Sequence, residues 1–191
     1  QPLSDYMKTH PGIRMQMKIA NTAELLKELM NGEIQLAIVE GYFDRSAYGY
    51  EVWETERFIP VASAEYHFRK SPRNLPDLFR ERLLIREQGS GSREILEKNL
   101  VAANYSLEDF SEQTEVNSIY AILQLLAENL GISFLYEPAA RKGIRSGEFI
   151  EIPLRDFSVK HDFCFIWDKN SIFAEEYRKI SGELKTARIS G

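Results

Sequence analysis

Cysteine is almost absent from this chain. Cys164 is alone among 191 residues, so no internal disulfide can brace the fold. Its setting, Phe163-Cys164-Phe165-Ile166, reads as an inert core thiol in a reducing compartment, and the cytoplasm is the expected location. Histidine is also scarce. His10, His67 and His161 are scattered, without the close spacings that hold zinc, so no metal and no cofactor is expected. No nucleophile stands beside a base and no carboxylates are paired at working spacing, so the chain is not expected to be an enzyme. No apolar run reaches the roughly 18 residues a membrane-spanning helix needs, and no signal peptide is visible. Positive charge is in deficit. With 24 Lys and Arg against 29 Asp and Glu, the net charge is -5, the wrong sign for gripping nucleic-acid phosphates. The basic cluster Arg141-Lys142-Gly143-Ile144-Arg145 reads as a solvated helix end, where cations oppose the negative pole of the dipole.

What is present is an ordinary globular composition, 43% hydrophobic and 28% charged, long enough for one large domain or two small lobes. Ile13–Ile19 alternates apolar and polar residues and predicts a half-buried strand. Leu25, Leu26, Leu29 and Met30 recur at helical spacing until Gly32, with Asn21 and Glu24 at capping-box distance. The apolar run Leu36–Val39 predicts a covered strand, completing a parallel strand–helix–strand unit. After a polar, proline-containing stretch from Lys70 to Leu83, the alternation resumes. Strands are expected at 83–86, 110–115 and 132–135, and helices at 92–103 and 118–129. Ile119, Ile122, Leu123, Leu126 and Leu130 share a helical face that Gly131 should end. A short helix at 137–142, strands at 149–152 and 161–167, and a final helix at 172–184 complete the pattern. Met7, Met15, Met17 and Met30 read as core filler or a dimer face.

Three blocks carry a resemblance. The first is His10-Pro11-Gly12-Ile13, then Asn21-Thr22-Ala23-Glu24-Leu25-Leu26, then Gly32 through Gly41. The second is Leu83-Leu84-Ile85-Arg86-Glu87-Gln88-Gly89-Ser90-Gly91-Ser92-Arg93-Glu94. The third runs from Asn117 through Gly131-Ile132-Ser133-Phe134-Leu135. In order and spacing they resemble the C-terminal effector-binding (substrate-binding) domain of LysR-type transcriptional regulators. The resemblance implies an α/β, two-lobed fold like type 2 periplasmic binding proteins, each lobe a mixed, mostly parallel sheet flanked by helices. The first lobe would comprise 1–62 and 164–191, and the second 63–163. The family pattern has a strand and a Ser/Thr-bearing loop before the helix that precedes His10-Pro11-Gly12. This first strand is expected to be missing, along with the N-terminal winged helix-turn-helix domain through which the full-length protein would touch DNA.

The implied function is to bind a small, anionic metabolite in the cleft between the lobes and so control transcription. A free-standing solute-binding protein of a transport system is the alternative, since its fold and cleft chemistry would be the same. The loop-to-helix junctions Asn21-Thr22, Gly89–Ser92 and Asn117-Ser118 offer unpaired amides and hydroxyl or amide side chains at the positive ends of helices. The expected effector-binding residues are Asn21, Thr22, Glu40, Ser90, Gly91, Ser92, Asn117 and Ser118. Any one junction is more often a structural cap than a ligand site, so their convergence is what carries the expectation. By resemblance, the partners are a small-molecule effector and a second copy of the domain, with a tetramer in the full-length protein. The Ile13–Ile19 and Thr22–Met30 segments are expected at the dimer contact.

Overall fold

The structure, a computed structural model, describes residues 2–189. It divides into two compact units, Gln1–Glu54 with Asp162–Gly191, and Thr55–His161. The divisions fall inside two long strands, β2 (Tyr48–Ser63) and β7 (Val159–Asp168).

The first unit contains α1 (Pro2–Thr9), α2 (Thr22–Met30), β1 (Ala37–Val39), the first part of β2, most of β7, and α6 (Ala174–Ile189). β1 pairs antiparallel with β7, Val39 opposite Cys164 and Ala37 opposite Ile166, and β7 lies beside β2. Because side chains alternate along a strand, β7 serves two cores. Cys164 and Ile166 pack with Leu29, Ala37 and Val39, whereas Phe165 and Trp167 pack with Tyr6 and Leu184. Burial pushes the Cys164 thiol pKa up, so the thiol is unreactive there, as its setting suggests. His10 stacks on Tyr6 with ring centroids 4.1 Å apart and reaches Glu183 at 3.3 Å, tying α1 to α6.

Three expectations fail in this unit. Ile13–Ile19 is not a strand: residues 13–20 run without turn, bend or pairing. A strand is held by its neighbour's ladder, and no described strand lies alongside. The parallel strand–helix–strand unit is therefore not formed. The capping box is half made, since Asn21 Oδ1 accepts the Glu24 amide at 3.0 Å while the Glu24 carboxylate takes the Lys18 ammonium at 2.7 Å instead. Of the two readings of the methionines, the core filler is excluded and the dimer face is left, because Met7, Met15, Met17 and Met30 are 49%, 41%, 68% and 77% exposed.

The second unit carries β3 (Arg82–Arg86), α3 (Gly91–Ala102), β4 (Glu112–Val116), α4 (Ile119–Ala127), β5 (Ser133–Tyr136), α5 (Glu137–Ser146) and β6 (Phe149–Glu151). β3 and β4 are parallel, with Arg82 opposite Glu112 and Arg86 opposite Val116. A parallel bridge joins Leu83 to Ile132. β5 and β6 pair antiparallel with β2, so the sheets are mixed. Their helix-facing side chains form a core of Ile59, Val61, Leu84, Ile122, Leu126, Leu135, Ala140 and Phe149. The strand expected from Phe110 begins at Glu112, because a short 3-10 turn, Leu107–Asp109, capped by Ser106, precedes it. α4 ends before Gly131. Asn129 adopts φ 59°, the left-handed cap that asparagine tolerates, and leaves Leu130 43% exposed. Gly131 has a packing role, since a Cβ there would lie 2.4 Å from the Arg82 carbonyl oxygen.

Asp77 organises the entry to β3. Its carboxylate takes Lys70 Nζ at 2.7 Å and the amides of Arg73 and Asn74 at 2.9 and 3.1 Å. The Lys70 ammonium first, then these amides, hold its pKa down from 3.8 to about 2. A depressed carboxylate stabilises the fold above its unfolded pKa and loses that contribution as pH falls through the folded value. Asp77→Asn should therefore lower the urea midpoint at pH 7, and the gap to the unsubstituted chain should narrow as pH falls from about 4 towards about 2.

Candidate functional site

The second unit brings three helix starts to one end of its sheet. β3 leads into α3 and β4 into α4, and because these strands are parallel with Arg86 opposite Val116, both junctions lie side by side at the strands' carboxyl ends. β5 runs parallel to β3 at the Leu83–Ile132 bridge and leads into α5, so that helix starts at the same end. Helix starts carry unpaired amides and the positive pole of the dipole, and the carboxyl ends of strands in α/β sheets are where ligands collect.

The three starts differ in chemistry. Glu137 occupies the first turn of α5 and is paired with Arg57 at 3.3 Å and Arg141 at 3.6 Å, so that helix end already has its anion. The first turn of α4 contains no acidic residue. Ser118 caps it, its Oγ accepting the Ala121 amide at 3.3 Å, while Asn117 beside it is exposed. At α3, Gly89 takes φ 89°, a left-handed conformation that glycine adopts without strain and that turns the chain from strand to helix. Ser90 is the N-cap residue but its hydroxyl caps nothing. It lies 3.0 Å from the Ser92 hydroxyl, and both serines are buried, as is Gly91 between them. Nearby cations are engaged: Arg86 forms two bonds to Glu87, at 2.8 and 3.0 Å, and Arg93 bonds Glu97 and Glu115.

In the first unit, α2 and β1 contribute to one core, with Leu29 packed against Ala37 and Val39. Asn21 caps α2, Thr22 is buried at 5% exposure, and Glu40, just past β1, is half-buried. Thus Asn21, Thr22 and Glu40 group in one unit, and Ser90, Gly91, Ser92, Asn117 and Ser118 in the other.

Sequence reasoning missed a recess in the second unit, lined by Phe58, Pro60, Ile152, Leu154, Phe157 and Lys160. It contains none of the nominated residues. It forms where the chain leaves β6, and contacts so far apart in sequence leave no local pattern. Among the described residues no group of three or more His, Cys, Asp or Glu is placed to hold a metal ion, and no helix is long and apolar enough to cross a membrane.

This fold recurs in known proteins. The regulatory domain of CcmR from Synechocystis PCC6803, solved in complex with 2-PG, superposes with a TM-score of 0.79 at 20% identity, covering 94% of this chain and 87% of that one. The bromide-bound regulatory domain of HypT from Salmonella typhimurium gives 0.73 at 18% identity, covering 97% and 89%. In sequence, an uncharacterized HTH-type transcriptional regulator of Methanocaldococcus jannaschii, MJ0300, is 25% identical over 158 residues, 82% of this chain and 53% of that protein. The chain spans about half the length of most curated relatives it matches. The family model described as the LysR substrate binding domain matches residues 1–178, and the chain belongs to that family.

Proposed function

We propose that this chain is the effector-sensing domain of a LysR-type bacterial transcriptional regulator, binding a small anionic metabolite rather than carrying out catalysis. The observation that carries the reading is the pair of adjacent helix starts at α3 and α4, with buried Ser90 and Ser92 hydroxyls on one and an acid-free first turn on the other. Such a junction suits sulfate, phosphate or carboxylate oxygens. Two domains of the same fold were solved with 2-PG and with a bromide ion, which supports an anionic effector. Ser90, Gly91, Ser92, Asn117 and Ser118 of the second unit would hold the anionic group, and Asn21, Thr22 and Glu40 are the effector-binding residues proposed in the first unit. Glu40, as a carboxylate, favours a hydroxyl or amine on the effector.

Effector binding would bias the sensing domain between arrangements, and the full-length protein would relay that bias to its DNA-binding domains. The sensing domain would work as a homodimer within a cytoplasmic tetramer, touching DNA only through the N-terminal winged helix-turn-helix. A thermal-shift screen with sulfate, phosphate and small mono- and dicarboxylates tests the binding step. A ligand at about 100 times its Kd adds about 2.7 kcal/mol, several degrees for a chain of this size. The shift should vanish in Ser90→Ala and fall in Thr22→Ala; a hit whose shift is unchanged in both variants would count against the reading.

A further inference from the structure

We propose that Arg93 is a positioning residue that holds the starts of α3 and α4 at a fixed separation, so that a single anion meets the amides of both. The inference rests on the anion-binding reading above and assigns the side chain that makes two junctions into one site.

Arg93 lies in the first turn of α3, where the helix dipole disfavours a cation. Its guanidinium is nevertheless only 19% exposed and is engaged on three sides. Nε donates to Glu97 Oε1 at 2.8 Å, one turn along the same helix. Nη1 carries two N–H groups; it donates to the Arg86 carbonyl at 3.2 Å and to Glu115 Oε2 at 2.6 Å.

The two acceptors of Nη1 sit at the ends of two strands. Arg86 is the last residue of β3 and Glu115 the last but one of β4. The parallel ladder sets these strands in register as far as Arg86 opposite Val116 and stops there, before either helix begins. Arg93 crosses that gap: it ties the first turn of α3 both to the strand that α3 follows and to the strand from which α4 springs. An anion shared by two helix starts must find both sets of amides at hydrogen-bond distance at once. A misplacement of about 0.5 Å is already the limit that a binding constellation tolerates, so the brace decides whether the two starts act together.

The brace adds little to stability. Glu97 and Glu115 are 43% and 58% exposed, and water screens bridges to carboxylates of that kind. Its loss should therefore leave the chain folded and show itself in binding.

Sulfate titrations of the 15N-labelled chain, followed on its amides, test this role. In the unsubstituted chain sulfate should move residues 91 and 92 together with residues 119–121. Arg93→Lys keeps the charge and loses the fork of donors. It should weaken sulfate binding at least about tenfold, the loss typical of metal sites when a group that orients the ligating residues is removed. The perturbations at 119–121 should fall more than those at 91 and 92. Glu115→Ala separates position from charge. Removing a negative charge near an anion site would tighten sulfate binding if charge alone mattered, and losing the brace weakens it; weaker binding is expected. Glu97→Ala cuts only the arm within the helix and should stay within about twofold of the unsubstituted chain. If sulfate moves both sets of amides in the unsubstituted chain, but Arg93→Lys or Glu115→Ala binds it as tightly or more tightly, the positioning role is overturned and the anion site stands. Sulfate that moves neither set refutes the paired anion site, and the role of Arg93 falls with it.

Discussion

Trp167→Ala is expected to destabilise the chain by roughly 3–5 kcal/mol. Trp167 is 1% exposed and shares its cluster with Tyr6, Phe165 and Leu184, so its indole joins β7 to α1 and α6. Nothing at Gly49 can swing in to fill the hole, and the fit is close: a Cβ at Gly49 would lie 2.2 Å from Trp167 Nε1. The neighbours come from separate elements whose backbones are fixed by their own ladders and helices, so collapse is incomplete and the cavity persists. The thermal midpoint should fall by roughly 6–20 °C at 2–4 °C per kcal/mol. A fall of under about 1 kcal/mol would mean that this cluster does not carry the first unit.

Leu126→Ala should cost roughly 2–5 kcal/mol in the second unit. Leu126 is 0% exposed, as is Ile122 one turn earlier, and together they bind α4 to Leu84 of β3 and Leu135 of β5. Volume-conserving Leu126→Met should cost less than about 1.5 kcal/mol. The pair of variants, compared by urea unfolding, separates packing from mere apolarity. Because the start of α4 supplies half of the proposed anion site, Leu126→Ala should also weaken anion binding in the folded chain, and Leu126→Met should not.

The sequence was most legible where each local signal agreed with the tertiary outcome. The apolar strand Leu83–Arg86, the helix that follows the Gly89 turn and the apolar-faced helix capped by Ser118 each carry a local signal that agrees with the packing, and they form close to where they are expected. The grouping of Ser90 with Asn117 and Ser118 follows from two consecutive parallel strands and needs no more than topology. Ile13–Ile19 was misread because alternation reports which face could be buried, not whether a neighbour exists to pair with it. Gly131 was misread as a helix stop because glycine signals small size as strongly as it signals a turn, and here the small size admits the Arg82 carbonyl. Glu24 has the spacing of a capping box, yet Lys18, six residues away, offers it a full charge where the cap amide offers a dipole. The Arg57–Glu137–Glu151 contacts span 80 and 94 residues, a separation at which no sequence motif operates.

The most direct test of the account is an amide NMR titration of the 15N-labelled chain with the best anion from the thermal-shift screen. The account predicts that the largest perturbations fall on the first-turn amides of α3, residues 91–93, and of α4, residues 119–121, and that Ser90→Ala abolishes both sets. Perturbations centred instead on the recess around Phe58, Phe157 and Lys160, with the α3 and α4 amides unmoved, would contradict it.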